Sequence, residues 1–171
     1  LRRFFSALLS LCMAVLLCTG AFAASTDGFS NFQAVNTYSK DSFADVSGWY
    51  ATHVATVYTY GLMQGTVDPA TGERMFSPGG EITLAETITL AARIHSIYSG
   101  DNYKFVQGSP WYQTYVDYAV EHNILSSVQE YSSYLSSATR AQFATIMASA
   151  LPDSAYQEIN MVEQGAIPDV D

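Results

Sequence analysis

The sequence has little cysteine and little positive charge, and both shortages restrict what the protein can be. Its two cysteines, Cys12 and Cys18, lie near the amino terminus. Lysine and arginine together number 7, against 16 aspartates and glutamates, and the formal net charge is −9. Nucleic acids and anionic lipids are held mainly by basic side chains. We therefore expect neither nucleic acid nor a membrane surface as a partner.

Residues 1–24 are typical of a secretory signal peptide. Two arginines precede an apolar run over 4–17, and Ala21-Phe22-Ala23 supplies the small-x-small pattern that signal peptidase cleaves. The run is too short to span a bilayer comfortably. Cleavage would remove both cysteines, so the exported chain would depend on its hydrophobic core instead of disulfides. Its remaining residues suffice for one core of ordinary size.

Two segments repeat at an offset of 62 residues. They read WYATHVATVYTYGL at 49–62 and WYQTYVDYAVEHNI at 111–124. Apolar residues recur at helical spacing in both, which predicts two amphipathic helices. Gly61 and Asn123 occupy the same place just after the last turn. Glycine and asparagine are the residues that best adopt the left-handed backbone that ends a helix, so we expect both helices to end there.

Two further segments repeat at an offset of 56 residues, TLAE at 83–86 and TRAQ at 139–142. Each is a capping box, in which the threonine side chain accepts a hydrogen bond from the backbone three residues on and the Glu or Gln side chain bonds back. The apolar residues behind each box predict a packed helix. They are Ile88, Ala91, Ala92 and His95 in the first copy and Phe143, Ile146, Met147 and Ala150 in the second.

The six-residue difference between the offsets must lie in the connection between the paired helices. In the first copy this connection includes VDPATGERMFSPGG, which is dense in turn formers. Its DPATGE portion lacks the alternating ligands of a calcium loop and favours a turn. The repeating unit is therefore a helix, a long loop and a capped helix.

These repeats divide the chain into five predicted parts. PDV at 168–170 matches ADV at 44–46, which indicates the start of a third copy and hence a fragment of a longer protein. The parts are a signal peptide (1–24), a polar leader (25–42), a first repeat (43–98), a second repeat (99–151) and a truncated third repeat (152–171).

The segment FADVSGWYATHVATVYTYGLMQG, followed by FSPGGEITLAE, resembles an S-layer homology (SLH) repeat. The family pattern has Phe-x-Asp-Val, a tryptophan, glycine after the first helix, Phe-x-Pro, and Ile-Thr-Arg-Ala-Glu at the second helix. WYQTYVDYAVEHNIL and ATRAQFATIMASALP resemble a second repeat, and IPDVD the start of a third. The resemblance extends from Phe43 onward. It implies an all-α fold, a helical bundle that is pseudo-threefold when three repeats are complete.

The resemblance also implies a function. SLH repeats anchor exported proteins non-covalently to secondary cell-wall polysaccharide, commonly a pyruvylated glycan, at the cell wall or S-layer of a bacterium. Arg140 would then contact the anion, and Thr139 would set the turn that presents it. Trp49, Trp111 and Asp45 match positions that shape or support the binding groove.

The sequence departs from the family pattern in each repeat. Leu84 stands where the family has arginine, and Arg93, more than two turns further on, does not plainly replace it. The second repeat has Gln107-Gly108 in place of Asp-Val and lacks a clear Phe-x-Pro. We therefore expect at most one well-formed basic pocket.

Several of these residues also have a purely structural interpretation. Helical aromatics usually pack in a core, so we expect mainly structural roles for Trp49 and Trp111. Asp45 either caps the first helix or contacts the sugar. A cation such as Arg140 is unfavourable at the positive end of a helix dipole, which favours a role in binding.

No pattern indicates an enzyme, a cofactor or a metal site. The three histidines lack metal-ligand spacing, and no pair of side chains indicates a nucleophile or a general acid. Two other functions are compatible with the repeats. They could tether a larger enzyme or adhesin whose active domain lies beyond residue 171, or they could self-associate in a surface layer without binding glycan.

Overall fold

The computed structural model describes residues 28–128 and 130–156. Its regular structure there is mostly helical, which confirms the predicted helical character of the fold. The predicted signal peptide and residues 157–171 of the third repeat lie outside the described residues, so the pseudo-threefold arrangement stays a prediction. None of the described helices is long and apolar enough to cross a membrane.

The regular structure of these residues consists of α-helices, a small sheet and short 3-10 helices. The helices are α1 (Ala51–Thr59), α2 (Leu84–Ser99), α3 (Gln113–Glu121) and α4 (Arg140–Ala148). Two strands, β1 (Thr66–Val67) and β2 (Arg74–Met75), pair antiparallel. Three 3-10 helices are found at Gly28–Asn31, Gly48–Tyr50 and Asp153–Ala155. The sheet was not predicted from the sequence.

Helices α1 and α3 lie where the 62-residue repeat predicts them, and they end in the same way. Gly61 has a φ of 70° and Asn123 a φ of 59°, both left-handed. The next N–H in each copy donates to the carbonyl five residues back, over 2.9 Å from Leu62 and 2.7 Å from Ile124. Glycine and asparagine therefore meet one backbone requirement, as predicted.

Both predicted capping boxes are present. The Thr83 side chain accepts from the Glu86 N–H at 3.2 Å, and the Glu86 carboxylate accepts from the Thr83 N–H at 2.8 Å. Thr139 and Gln142 make the corresponding pair over the same two distances. Each box satisfies two backbone donors that a helix start leaves free. The boxes begin helices of different length, 16 residues for α2 and 9 for α4.

The segments before the two boxes pair with each other. The Ala138 N–H donates to the Ile82 carbonyl at 2.8 Å, and the Leu84 N–H donates to the Ser136 carbonyl at 3.0 Å. Ile82 and Ala138 correspond in the 56-residue register, so the two copies meet through equivalent residues. This contact brings the starts of α2 and α4 side by side.

The first connection between paired helices forms a hairpin. The Asp68 carboxylate accepts from the Ala70 N–H at 2.8 Å, and the Gly72 N–H donates to the Asp68 carbonyl at the same distance. These bonds close the turn between β1 and β2. The interpretation of DPATGE as a turn is confirmed.

The buried apolar residues form two separate clusters. The main core joins α2, α3 and α4 and includes Ile88, Val116, Tyr118 and Ile146. A small separate cluster consists of Phe43 and two residues of α1, Val54 and Tyr58. Helix α1 thus packs in the small cluster, whereas α2 packs in the main core together with α3 and α4.

The predicted polar leader, described from residue 28 onward, packs across two helix ends. Phe29 meets the Tyr98 ring edge-on at 5.2 Å, and the Asn31 side-chain amide donates to the Tyr98 carbonyl at 2.9 Å. The backbone N–H groups of Val35 and Asn36 both donate to the Thr59 carbonyl. Carbonyls that the ends of α1 and α2 would leave free therefore find donors in the leader. The sequence did not predict this role.

Candidate functional site

The start of α4 presents an exposed cation. Thr139 is the N-cap and Arg140 the first helical residue. Within the ranges that the structure describes, the exposed Arg140 side chain has neither a hydrogen-bond nor an ion-pair partner. Leu84, its counterpart at the start of α2, is only 2% exposed and belongs to the main core. The two helix starts therefore differ in chemistry although their caps are alike.

The expectation that both tryptophans serve the core is wrong for Trp49, which is 83% exposed. Tyr50, Val54 and Tyr58 follow one another at four-residue spacing and form the face of α1 that meets the small cluster. At about 100° per residue, Trp49 lies off that face. Trp111, at the corresponding position before α3, is 37% exposed.

Asp45 does not cap α1, and its carboxylate is hydrogen-bonded elsewhere in the first repeat. Its two carboxylate oxygens accept from the N–H groups of Phe76 and Ser77, at 2.8 and 2.7 Å. No side-chain cap bond is found at the start of Gly48–Tyr50 or of α1. Asp45 therefore holds the residues after β2 against the beginning of the first repeat, which is a supporting role.

Four aromatic side chains, which we call the aromatic row, run from Trp111 through Tyr112 and Tyr134 to Tyr131. Neighbouring ring centroids are 5.7, 5.5 and 6.1 Å apart. The three tyrosines are half-buried. The Ala85 N–H donates to the Tyr134 carbonyl at 2.7 Å, so the row reaches the first turn of α2.

Burial and the neighbouring Glu130 both affect the pKa of Tyr131, which lies at the far end of the aromatic row. Burial would raise the pKa of Glu130, but hydrogen bonds from the Ser126 hydroxyl and N–H, at 2.8 and 2.7 Å, lower it overall. Burial and the neighbouring Glu130 raise the pKa of Tyr131 to about 12. The Tyr131 hydroxyl is thus engaged with the Glu130 carboxylate, which favours the protonated phenol.

The five residues predicted for the site occupy three places. Thr139 and Arg140 begin α4, Trp111 begins the aromatic row, and Asp45 and Trp49 lie in the first repeat beside α1. Among the contacts described for residues 28–128 and 130–156, none joins Arg140 to Asp45 or to either tryptophan. The aromatic row and the α4 start both adjoin the start of α2.

A cluster that sequence reasoning missed joins α2 to α3. His95 Nδ1 lies 2.8 Å from the Tyr118 hydroxyl, which donates to Asp101 at 2.6 Å. The His122 ring is 4.8 Å from that of His95. Burial, and then the His122 charge, lower the pKa of His95. Only the four-residue spacing of Tyr118 and His122 was visible in the sequence, because the other partners come from a different helix and loop.

The histidine cluster does not form a metal centre. Among the described residues, no group of three or more His, Cys, Asp or Glu side chains is arranged to hold a metal ion.

In the described residues a helix, a connection and a capped helix occur twice in succession. The family model of the S-layer homology domain matches residues 42–88, which confirms the resemblance over most of the first repeat. Domains of this family are non-catalytic modules that anchor bacterial proteins at the cell surface and cell wall. No curated protein and no solved structure matches the chain significantly.

Proposed function

We propose that the protein is an exported module that anchors non-covalently to secondary cell-wall polysaccharide through the start of α4. The S-layer homology match supports wall attachment in general terms. The observation that carries the specific proposal is the exposed Arg140, which has no partner in the described part of the chain.

The position of Arg140 is unfavourable unless an anion binds there. A cation at the positive end of a helix dipole costs about 0.3–1 kcal/mol, and no carboxylate in the described ranges offsets this cost. The Thr139 side chain satisfies the Gln142 N–H but leaves other first-turn donors free. A ligand carboxylate could bind the guanidinium and these donors together. By family resemblance, that carboxylate is the pyruvyl ketal of the glycan.

The aromatic row supplies the second half of the proposed surface. Half-buried tyrosines combine an apolar ring face, against which a sugar ring can pack, with a hydroxyl for hydrogen bonding. The row and the α4 start both adjoin the first turn of α2, so one glycan chain could contact both. The first repeat offers no equivalent charge because the corresponding residue is Leu84, which is uncharged and buried.

Retention of the full chain on purified secondary cell-wall polysaccharide tests this proposal. Arg140→Ala should weaken binding about tenfold or more, since a charge-assisted hydrogen bond is lost. Lys104→Ala is the matched control, because it removes one positive charge from another exposed position and should leave binding unchanged. Mild-acid removal of the pyruvyl groups from the polymer should reproduce the Arg140→Ala loss.

Two results would contradict the proposal. Absence of retention for the unaltered chain would end the polysaccharide hypothesis. Equal retention of the Arg140→Ala and Lys104→Ala variants would end the role given to Arg140. Light scattering without polymer would show whether self-association takes the place of glycan binding.

A further inference from the structure

A cavity of about 680 Å³ opens at the opposite end of α2 from its capping box. Its walls are the leader, the end of α1 and the last turns of α2, together with Asn102, Tyr103, Phe105 and Tyr115. This volume is within the roughly 300–1,000 Å³ typical of small-molecule sites. The cavity shares no residue with the α4 start or the aromatic row.

Arg93 is the only charged side chain among those that line the cavity. Its guanidinium donates to the Leu62 carbonyl and to the Tyr115 hydroxyl, each at 2.9 Å. It also lies over the Tyr115 ring, 5.4 Å from the centroid. These neutral partners orient the cation but do not cancel its charge. In a chain of net charge −9, an arginine without a carboxylate partner in the described ranges gives this cavity a local positive charge.

The Asp101 carboxylate lies near the cavity but is not part of its lining. It accepts from the Ser96 hydroxyl, the Tyr118 hydroxyl and the Tyr103 N–H. The leader donors already described satisfy carbonyls at the ends of α1 and α2, which reduces the negative potential of those ends. Arg93 is therefore the charged group that a ligand in the cavity can contact directly, while the Asp101 carboxylate keeps its charge behind Ser96 and Tyr103.

The rest of the lining suits a sugar ring. Phe105 and Tyr115 stack at 4.6 Å with an interplanar angle of 22°, and both border the cavity. The side-chain amides of Asn31, Gln33 and Asn102 donate to backbone carbonyls. Their amide oxygens receive no hydrogen bond within the described residues, so they can accept from ligand hydroxyls.

We propose that this cavity binds a carboxylated saccharide, with the carboxylate at Arg93, the ring against the partly exposed Phe105, and the hydroxyls at the amide oxygens. The site goes beyond the proposed anchoring surface and does not depend on it. The ligand could be a free sugar acid or one acidic unit of a glycan, since both carry the same chemistry.

Val35 allows a test that spares the buried residues. It is 67% exposed and lines the cavity. Its Cγ2 lies only 2.8 Å from where a Cβ on Gly61 would be, and the Arg93 guanidinium reaches the Gly61 carbonyl at 3.4 Å. A glutamate at position 35 can therefore extend toward Arg93 and compete with a ligand carboxylate. Val35→Gln is the matched neutral control.

Calorimetric titration of the full chain with digalacturonate, and with its methyl ester, tests the proposal. The acid should bind the unaltered chain and Val35→Gln alike, whereas the ester should bind about tenfold or more weakly. Val35→Glu should weaken binding of the acid by a similar factor while its melting temperature matches that of Val35→Gln.

Competition between digalacturonate and purified wall polysaccharide tests the source of the natural ligand. Displacement of digalacturonate by purified wall polysaccharide would identify an acidic unit of that polymer, and lack of displacement would identify a free sugar acid. The proposal is overturned if the unaltered chain does not bind digalacturonate, if the ester binds as well as the acid, or if Val35→Glu binds as well as Val35→Gln.

Discussion

The two repeats agree in how their helices begin and end and differ in what those helices touch. Gly61 and Asn123 end α1 and α3 with the same left-handed turn, and the two capping boxes have matching hydrogen bonds. Yet α3 is buried in the main core, whereas α1 covers a small cluster of its own. Local backbone requirements have thus been kept while the packing around them has diverged.

The largest expected difference between the repeats concerns Val54 and Val116, which correspond at the 62-residue offset. Val116→Ala removes two methyl groups from the main core and should lower the free energy of unfolding by about 2–3 kcal/mol. Val54→Ala should cost about 1 kcal/mol, because fewer elements surround the small cluster. Urea unfolding of the full chain measures both. Equal losses would show that α1 and α3 contribute equally to one cooperative core.

A smaller difference is expected where the two helices end. Gly61→Ala should cost about 2 kcal/mol, because a residue with a Cβ is strained at φ 70° and its Cβ would collide with Val35. Asn123→Ala should cost about 1 kcal/mol or less, since Asn123 already carries a side chain at φ 59°. Thermal melts would rank the two variants.

A double-mutant cycle sharpens this comparison. Val35→Ala should recover part of the loss caused by Gly61→Ala and none of the loss caused by Asn123→Ala. Additive effects in the Gly61→Ala, Val35→Ala pair would mean that the left-handed strain alone, and not the contact with the leader, accounts for the cost.

The smallest expected effect is on the dependence of stability on pH. The pKa of His95 lies below its ordinary value of 6.5, so the stability gained from neutral His95 is complete above pH 6.5 and is lost as the pH falls through the lower folded value. His122→Gln removes a neighbouring charge, so it should raise the pKa of His95 and reduce the loss of stability on acidification.

His53 provides the control for this experiment, since it is exposed in the first repeat. His53→Gln should leave the difference between melting temperatures at pH 7.5 and pH 5.5 unchanged. An NMR titration of the His95 ring checks the direction of the pKa change. An unchanged His95 pKa in the His122→Gln variant would contradict the assigned coupling.

What the sequence predicted correctly depends on neighbours within one or two helical turns. The ends of α1 and α3 and both capping boxes follow from residues five or fewer positions apart, so their patterns are visible in one chain. The prediction for Trp49 fails because positions 49 and 50 were both counted in the apolar face of α1, and only Tyr50 belongs to it. Only the spacing of Tyr50, Val54 and Tyr58 shows which face α1 buries.

Features that depend on distant residues could not be predicted in this way. Arg93 lies 31 residues from Leu62 and 22 from Tyr115, and only the folded chain brings its guanidinium to both. The packing of the leader likewise depends on carbonyls that become available when α1 and α2 end. The local positive charge of the cavity is therefore a tertiary property, whereas the exposed charge of Arg140 is already indicated by its place after Thr139.

The hairpin of the first repeat is held by hydrogen bonds at its base and is exposed to solvent at its tip. The Ala44 N–H donates to the Arg74 carbonyl at 2.8 Å, and Asp45 holds the next residues of the chain after β2. Gly72, in the turn, has no atom close to where a side chain would project. A short foreign peptide spliced between Ala70 and Gly72 would therefore extend into solvent; it would cost the hydrogen bond from Gly72 to Asp68 within the turn but leave the bonds at the base in place, which makes this turn a suitable position for displaying an epitope or an affinity tag.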